Sequence, residues 1–406
     1  MSRAASNAPQ SNMMPEKPAP PPKTSEVPDP NGMFGEFGGT FVPEALVPAL
    51  EILAAAYLNA MRDDRFWDEL RDLQRTFTGR PTALYHAKRL TGVALKRSKS
   101  GEAAKIWLKR EDLCLTGSSA IGNAIGQAML ARAMGKTRII GETGSGKHGV
   151  AVATAAAHFG LACEVYCTTH AMKAAPAMTA LGAKVTEVGS DSRTAATTEA
   201  LRDWVESNEQ THYASGLAIG PHPLPTIVRD FHSVIGTETK AQSLRLLTKL
   251  PDVLITAVDG ASTGFFYPFV DDDKVQLVGV EAGGRGNKPG EHAAALTHGQ
   301  PGVLHGMRTY VLQDENGQSL ATHTCAGGLN YAGSGPEHAY WKDKKRVRYA
   351  TMSDALATEA CEGLARTEGI LASLESSHAI AEAIEVAARL KGDQNVVVCL
   401  SGGTSF

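Results

Sequence analysis

Nothing in this 406-residue chain reads as a metal centre or a disulfide framework. Its six cysteines (114, 163, 167, 325, 361 and 399) form no CxxC pair, and its thirteen histidines show no HExxH or comparable spacing. Buried, reduced thiols are the expectation, and with them a cytoplasmic setting. No apolar run is read as reaching the length of a membrane span. The opening MSRAASNAPQ lacks the apolar core of a secretory signal. An excess of one charge is missing too. Lysine and arginine number 40 against 43 aspartates and glutamates, interspersed, for a net charge of −3. Neither nucleic acid nor an anionic membrane is an expected partner.

What is present is core-forming material: 43% of residues are apolar and 20% charged, in a chain longer than one ordinary domain. Residues 1–31 hold a dense set of prolines, including PAPPP, and cannot bury enough surface to offset ordering entropy, so a disordered tail is expected there. Structure should begin near FGEFGG (Phe34 to Gly39), followed by two helices, PEALVPALEILAAAYLNAMRDD and DRFWDELRDLQRTF. From Lys105 strands and helices alternate: KIWLK, SSAIGNAIGQAMLARAMG, TRII, ACEVYC, KVTEV, TAATTEALRDWVE, VLITAV, QLVGVE, a helix pair and NVVVCLS. Such alternation predicts an α/β fold with mostly parallel sheets and a site at the carboxyl ends of strands.

The densest chemistry lies between Thr137 and Gly160, TRIIGETGSGKHGVAVATAAAHFG. A strand, a glycine-rich turn and a helix there aim backbone N–H groups and the positive helix end at one spot. Glu142, Lys147 and His148 rim it. The run nearly matches a nucleotide-binding P-loop, but the hydroxyl that would ligate Mg²⁺ after the lysine is replaced by His148. Each rim residue also has a plainer structural role: Glu142 as a helix cap, Lys147 as a solvated loop lysine, His148 as a packing or capping ring.

Taken together, FGEFGGTFVPEAL, GRPTALYHAKRL, KIWLKREDL, GETGSGKHGVA, THYASGLAIGPHPLPTIVRDF, LVGVEAGGRG, GPEHAYWKD and LESSHAIAEA resemble, in order, the β subunit of tryptophan synthase. The resemblance runs from Phe34 to Ser401 and implies a fold-type-II pyridoxal phosphate enzyme with two α/β domains flanking the site. It implies a division into 32–78 with 119–230, and 79–118 with 231–406. A homodimer joining indole to serine, partnered by an α subunit, would be the family's habit. The shortened segment CTTHAMKAAPAMTALGA removes part of the α-subunit contact, so that partner is not expected.

Departures from the family pattern carry the functional argument. Ala120 stands where the resemblance places the imine-forming lysine, and Ser119 where it places the adjoining histidine. A methyl group forms no imine. Asp259-Gly260-Ala261-Ser262-Thr263 replaces the glycine-rich phosphate cradle. At an effective dielectric near 20, unit charges a few ångströms apart repel by roughly 4 kcal/mol. Asp259 could alternatively pair with a nearby cation and simply hold a strand end. Leu217 replaces a small polar residue, and the chain stops soon after Ser401, the family's partner for the pyridine nitrogen. Bound pyridoxal phosphate is therefore not expected. Lys109 is a conceivable substitute amine, but an ion pair with Glu111 or Asp112 is the favoured reading.

The resemblance keeps Glu142 as acid–base carboxylate, Thr143, Gly144, Ser145 and Gly146 as a carboxylate nest, and Glu375 near the cofactor ring, while Lys147 adds positive charge. Three functions remain open. The first is a cofactor-independent lyase, isomerase or cyclase acting on a small anionic, aromatic or polyunsaturated metabolite, with Glu142, Lys147 and His148 as its chemistry. The others are a silent pseudoenzyme that binds a partner or metabolite, and a pyridoxal phosphate lyase using another lysine.

Overall fold

The computed structural model describes residues 27–404; the proline-rich run through residue 26 lies outside the described residues. Two parallel sheets dominate, giving the α/β architecture expected. The smaller has four strands in the order Lys184–Glu187, Ala162–Cys167, Arg138–Thr143, Thr211–Tyr213, all parallel. The larger runs Val347–Ser353, Gln276–Gly284, Val253–Ala257, Asn395–Leu400, Lys105–Arg110 and Leu84–His86, antiparallel only at the last pair. Central strands such as VVVCL are buried throughout, as sheets covered on both faces require. A third, antiparallel sheet (Met33–Phe34, Phe37–Gly38, Met307–Val311, Gln300–Leu304) was not anticipated: two of its strands are only two residues long, and Met307–Val311, which does alternate, pairs with Phe37–Gly38 across the chain.

Two long helices pack together, and the second has residues in two clusters of the core. Ala120–Ala133 is buried from Ile121 to Ala131, so its small residues are packing contacts: a Cβ on Gly126 would lie 2.5 Å from the Phe231 ring. Leu224–Leu247, missed as a helix in the sequence, carries Phe231 and a row of buried polar groups. Those polar groups explain the miss, since they blur the apolar stripe that marks an amphipathic helix. The stretch 44–62 is long and apolar enough to cross a membrane, with mean hydropathy 1.3, which the sequence reading had overlooked. Its Leu50, Leu53, Tyr57 and Ala60 pack into the core.

Lys109 is committed to structure. Its Nζ lies 2.5 Å from Glu238, 3.0 Å from the Thr82 carbonyl and 4.0 Å from Glu111. The main partner is thus Glu238 rather than the expected neighbours; Glu111 pairs with Arg80, and Asp112 with Arg110. A fully buried ammonium needs a counter-ion of comparable burial, and Glu238 on the long helix supplies it.

Burial also fixes charge states. His212, whose Nε2 lies 3.1 Å from Gln127 Oε1, and His338 are both pushed down by burial to about 3. An unfolded chain would bind protons at both rings from near pH ~6.5 downward, so this stabilisation is complete above that point. It is lost as pH falls toward about 3, by on the order of 1 kcal/mol per unit for each ring. Urea midpoints should drop between pH ~7 and pH ~5, and drop less in His212→Gln; equal slopes in the two proteins would refute the assignment.

Candidate functional site

The site is assembled where the Arg138–Thr143 strand ends and the Lys147–Phe159 helix begins. Gly146 makes the turn at φ +93°, and Thr143 Oγ1 accepts its N–H at 2.9 Å. Gly144 lies backbone to backbone with Gly327, where a Cβ would overlap the Gly327 carbonyl oxygen. The expected carboxylate nest therefore has one N–H, that of Gly146, taken by Thr143. Of its four residues only Ser145 lines the cleft.

That cleft is partly open to solvent and has a cavity volume of about 60 Å³. Ser119, Ala120, Lys147, His148, Asp259, Glu375 and Ser401 all line it, as the sequence anticipated. Leu217 instead lines an adjoining chamber with Ile219, Leu329 and Tyr331, and Asp259 and Gly328 face both spaces. Glu142 lies behind the wall. Fully buried, its carboxylate takes Arg193 Nη2 at 3.0 Å, the Tyr213 hydroxyl at 2.8 Å and the Gly216 N–H at 3.4 Å. A carboxylate so occupied holds Arg193 in place from behind the lining, where the sequence reading had expected an acid–base group facing the cleft.

Arg193, Ser118 and His232 also line the cleft, and the sequence reading missed all three. A signal existed for Arg193: it opens the Arg193–Ser207 helix, where a positive charge opposes the helix dipole. Its compensation is Glu142, a carboxylate distant in sequence. Arg193 Nη1 donates to the Gly328 carbonyl at 3.0 Å, and the Gly328 N–H donates to Glu375 at 3.0 Å. Glu375 in turn binds Lys147 at 2.9 Å. Burial alone would raise the Glu375 carboxyl, yet Lys147 and its hydrogen bond hold it well below the ordinary range.

His148 Nε2 lies 2.8 Å from the Ala214 carbonyl, so that nitrogen carries the proton. Nδ1 is buried and unpartnered. Burial lowers this imidazole from 6.5 against the pull of Glu142, leaving a neutral ring with an open lone pair. Ser118 Oγ and Arg193 Nε are likewise buried without partners. Asp259 has no ion-pair partner among the described residues; its Oδ1 accepts the Ala261 N–H at 3.0 Å, and the Ser401 hydroxyl donates to it. Both cations of the site already have carboxylates, so the wall is not the electropositive surface that Lys147 suggested.

A family model described as "pyridoxal-phosphate dependent enzyme" matches residues 76–402. Among solved structures, a threonine deaminase from T.th. aligns with TM-score 0.62 and 21% identity, over 88% of this chain and 98% of its own. An aspartate racemase described as pyridoxal 5'-phosphate-dependent gives 0.63 and 16%, over 84% and 94%. An O-ureido-L-serine-bound, lysine-to-alanine mutant of O-ureido-L-serine synthase gives 0.60 and 18%, over 82% and 89%. These likenesses establish the fold.

Covalently held pyridoxal phosphate needs a free amine for its aldehyde and open N–H donors for its phosphate. Lys147, the one lysine lining the cleft among the described residues, is paired with Glu375, and Asp259 occupies the Ala261 N–H with a carboxylate. Ser401 suits a pyridine nitrogen, but the other two groups do not fit the cofactor.

Removing one charge of the Glu142–Arg193 pair strands the other in the interior. Glu142→Gln or Arg193→Gln should each cost about 3–5 kcal/mol in urea unfolding. The double variant should cost clearly less than the sum, and strict additivity would show that the pair is not coupled.

Proposed function

Because the chain belongs to the pyridoxal-phosphate dependent enzyme family, we propose that it is a divergent, tryptophan synthase β-like member turned to cofactor-independent chemistry. The reaction is a lyase, isomerase or cyclase step on a small metabolite that carries an anionic group. One observation carries the reading: Ser118, His148 and Arg193 line one cleft, and each holds a buried polar atom without a partner, Oγ, Nδ1 and Nε respectively. Groups left that way cost stability unless a polar ligand completes them.

In this reading Arg193, held by Glu142 and the Gly328 carbonyl, takes the ligand's anionic group through its free Nε–H. His148 Nδ1 removes a proton, while the Nε2–H bond to Ala214 fixes the tautomer and steadies the imidazolium that forms. The adjoining chamber around Leu217 and Tyr331 receives the apolar body. Ala120 stands at the imine-forming position of the resembled family, which is why the step is assigned to side chains alone.

A second reading rests on Lys147, the one lysine in the lining among the described residues, as the amine of a pyridoxal phosphate lyase. Borohydride reduction of the protein with pyridoxal phosphate, followed by peptide mapping, separates the two. No stoichiometric pyridoxyl-lysine is expected; a full equivalent on Lys147 would establish the second reading. Turnover of unsaturated and aromatic carboxylates, screened by proton NMR, should vanish in His148→Gln. Its wild-type kcat/KM should fall on the acid side, below about 6.5, as the lowered His148 base protonates.

A further inference from the structure

The misfit at residues 259–263 has a positive content, and the inference rests on the cofactor-independent reading above. We propose that the Asp259 loop, in place of a phosphate cradle, is a seat for the ammonium group of a small organic amine.

Charge balance is the first ground. Lys147 is matched by Glu375 and Arg193 by Glu142, which leaves the Asp259 carboxylate without an ion pair of its own: its hydrogen-bond donors, the Ala261 N–H and the Ser401 hydroxyl, are neutral, and the nearby Lys147 and Glu375 charges act on it in opposite senses. A phosphate dianion brought here would meet that carboxylate and find the Ala261 N–H already taken. A cation is the complement.

The second ground is the hydrogen-bonding character of the wall. His148 Nδ1, on a ring only 6% exposed, is an unpartnered acceptor. His232 Nδ1 lies 3.0 Å from the Val228 carbonyl and so carries the proton, which makes its Nε2 an acceptor as well. Burial pushes His232 down to about 4, so the ring stays neutral. The two imidazoles flank a bare backbone contact: Gly216 packs on the His148 ring, Gly260 on Gly216, and His232 Cε1 lies 3.8 Å from a Cβ placed on Gly260. Beside the unpartnered donors Ser118 Oγ and Arg193 Nε, two acceptor nitrogens and a carboxylate share the cleft, and an ammonium brings three N–H groups on one atom to meet them. A metal ion is a poorer match, since no group of three His, Cys, Asp or Glu side chains among the described residues could hold one. Burial raises the Asp259 carboxyl, and a bound ammonium would restore its ionised form.

Calorimetry on the full-length chain tests this with phenethylamine, 3-phenylpropionate, inorganic phosphate and potassium chloride as separate probes. Phenethylamine should bind, and its affinity should fall at least about tenfold in Asp259→Asn. Asparagine keeps an oxygen for the Ala261 N–H and the Ser401 hydroxyl, so the loop is retained while the charge goes; Asp259→Glu should restore part of the affinity. Phosphate should bind the wild type weakly and the Asp259→Asn protein more tightly. Amine affinity unchanged in Asp259→Asn, or wild-type phosphate binding weakened by that change, overturns the proposal. So does potassium binding at the site that abolishes amine binding, which would make it an inorganic cation seat. The borohydride mapping described above reads the proposed function separately: without a pyridoxyl-lysine, an amine indifferent to Asp259 removes this inference alone.

Discussion

One peptide unit, Gly328, ties the cleft together. Its carbonyl is held by Arg193 and its N–H by Glu375, so the Glu142–Arg193 and Lys147–Glu375 pairs become links of a single chain from Tyr213 to Lys147. Arg193 comes from the helix beside the four-stranded sheet and Glu375 from the Leu374–Ala387 helix packed on the six-stranded one. Separately, each buried charge would be costly; in series, each has a partner and a direction. Beside this frame, the His148 ring is set by its bond to the Ala214 carbonyl and the Asp259 carboxylate by the Ala261 N–H and the Ser401 hydroxyl.

The same frame explains why charge was misjudged from sequence. Lys147 stands in a glycine-rich turn, where an added cation suggests an anion site, but its counter-charge is Glu375, 228 residues later. Glu142 stands on the same turn and looks like an acid–base group, yet its partners Arg193 and Tyr213 belong to a different helix and strand. Local pattern shows which side chains gather; it does not show which neutralise one another, because pairing is settled by tertiary contact.

Much of the rest was legible. The alternation of strands and helices gave the two parallel sheets, with ACEVYC matching the observed strand Ala162–Cys167 residue for residue. The lining role of Ser119, Ala120, His148, Asp259, Glu375 and Ser401 followed from motif order. His232 escaped notice because one histidine inside a helix carries no spacing to betray it. Arg193 escaped because a helix that begins with arginine looks like an ordinary surface turn until its buried partner is known. The strands at Met33–Phe34 and Phe37–Gly38 are too short to show a hydrophobic rhythm, and their pairing with Met307–Val311 is a contact between segments far apart in sequence.

The bare contact between Gly144 and Gly327 has a consequence for how such a cleft can change over time. Neither position can gain even a methyl without levering the 327–329 turn outward, and that turn carries the amide to which both ion pairs are fastened. Side chains that line the cleft can therefore change one at a time, while this contact of two glycines cannot. Chemistry in this scaffold is free to drift; its joinery is not.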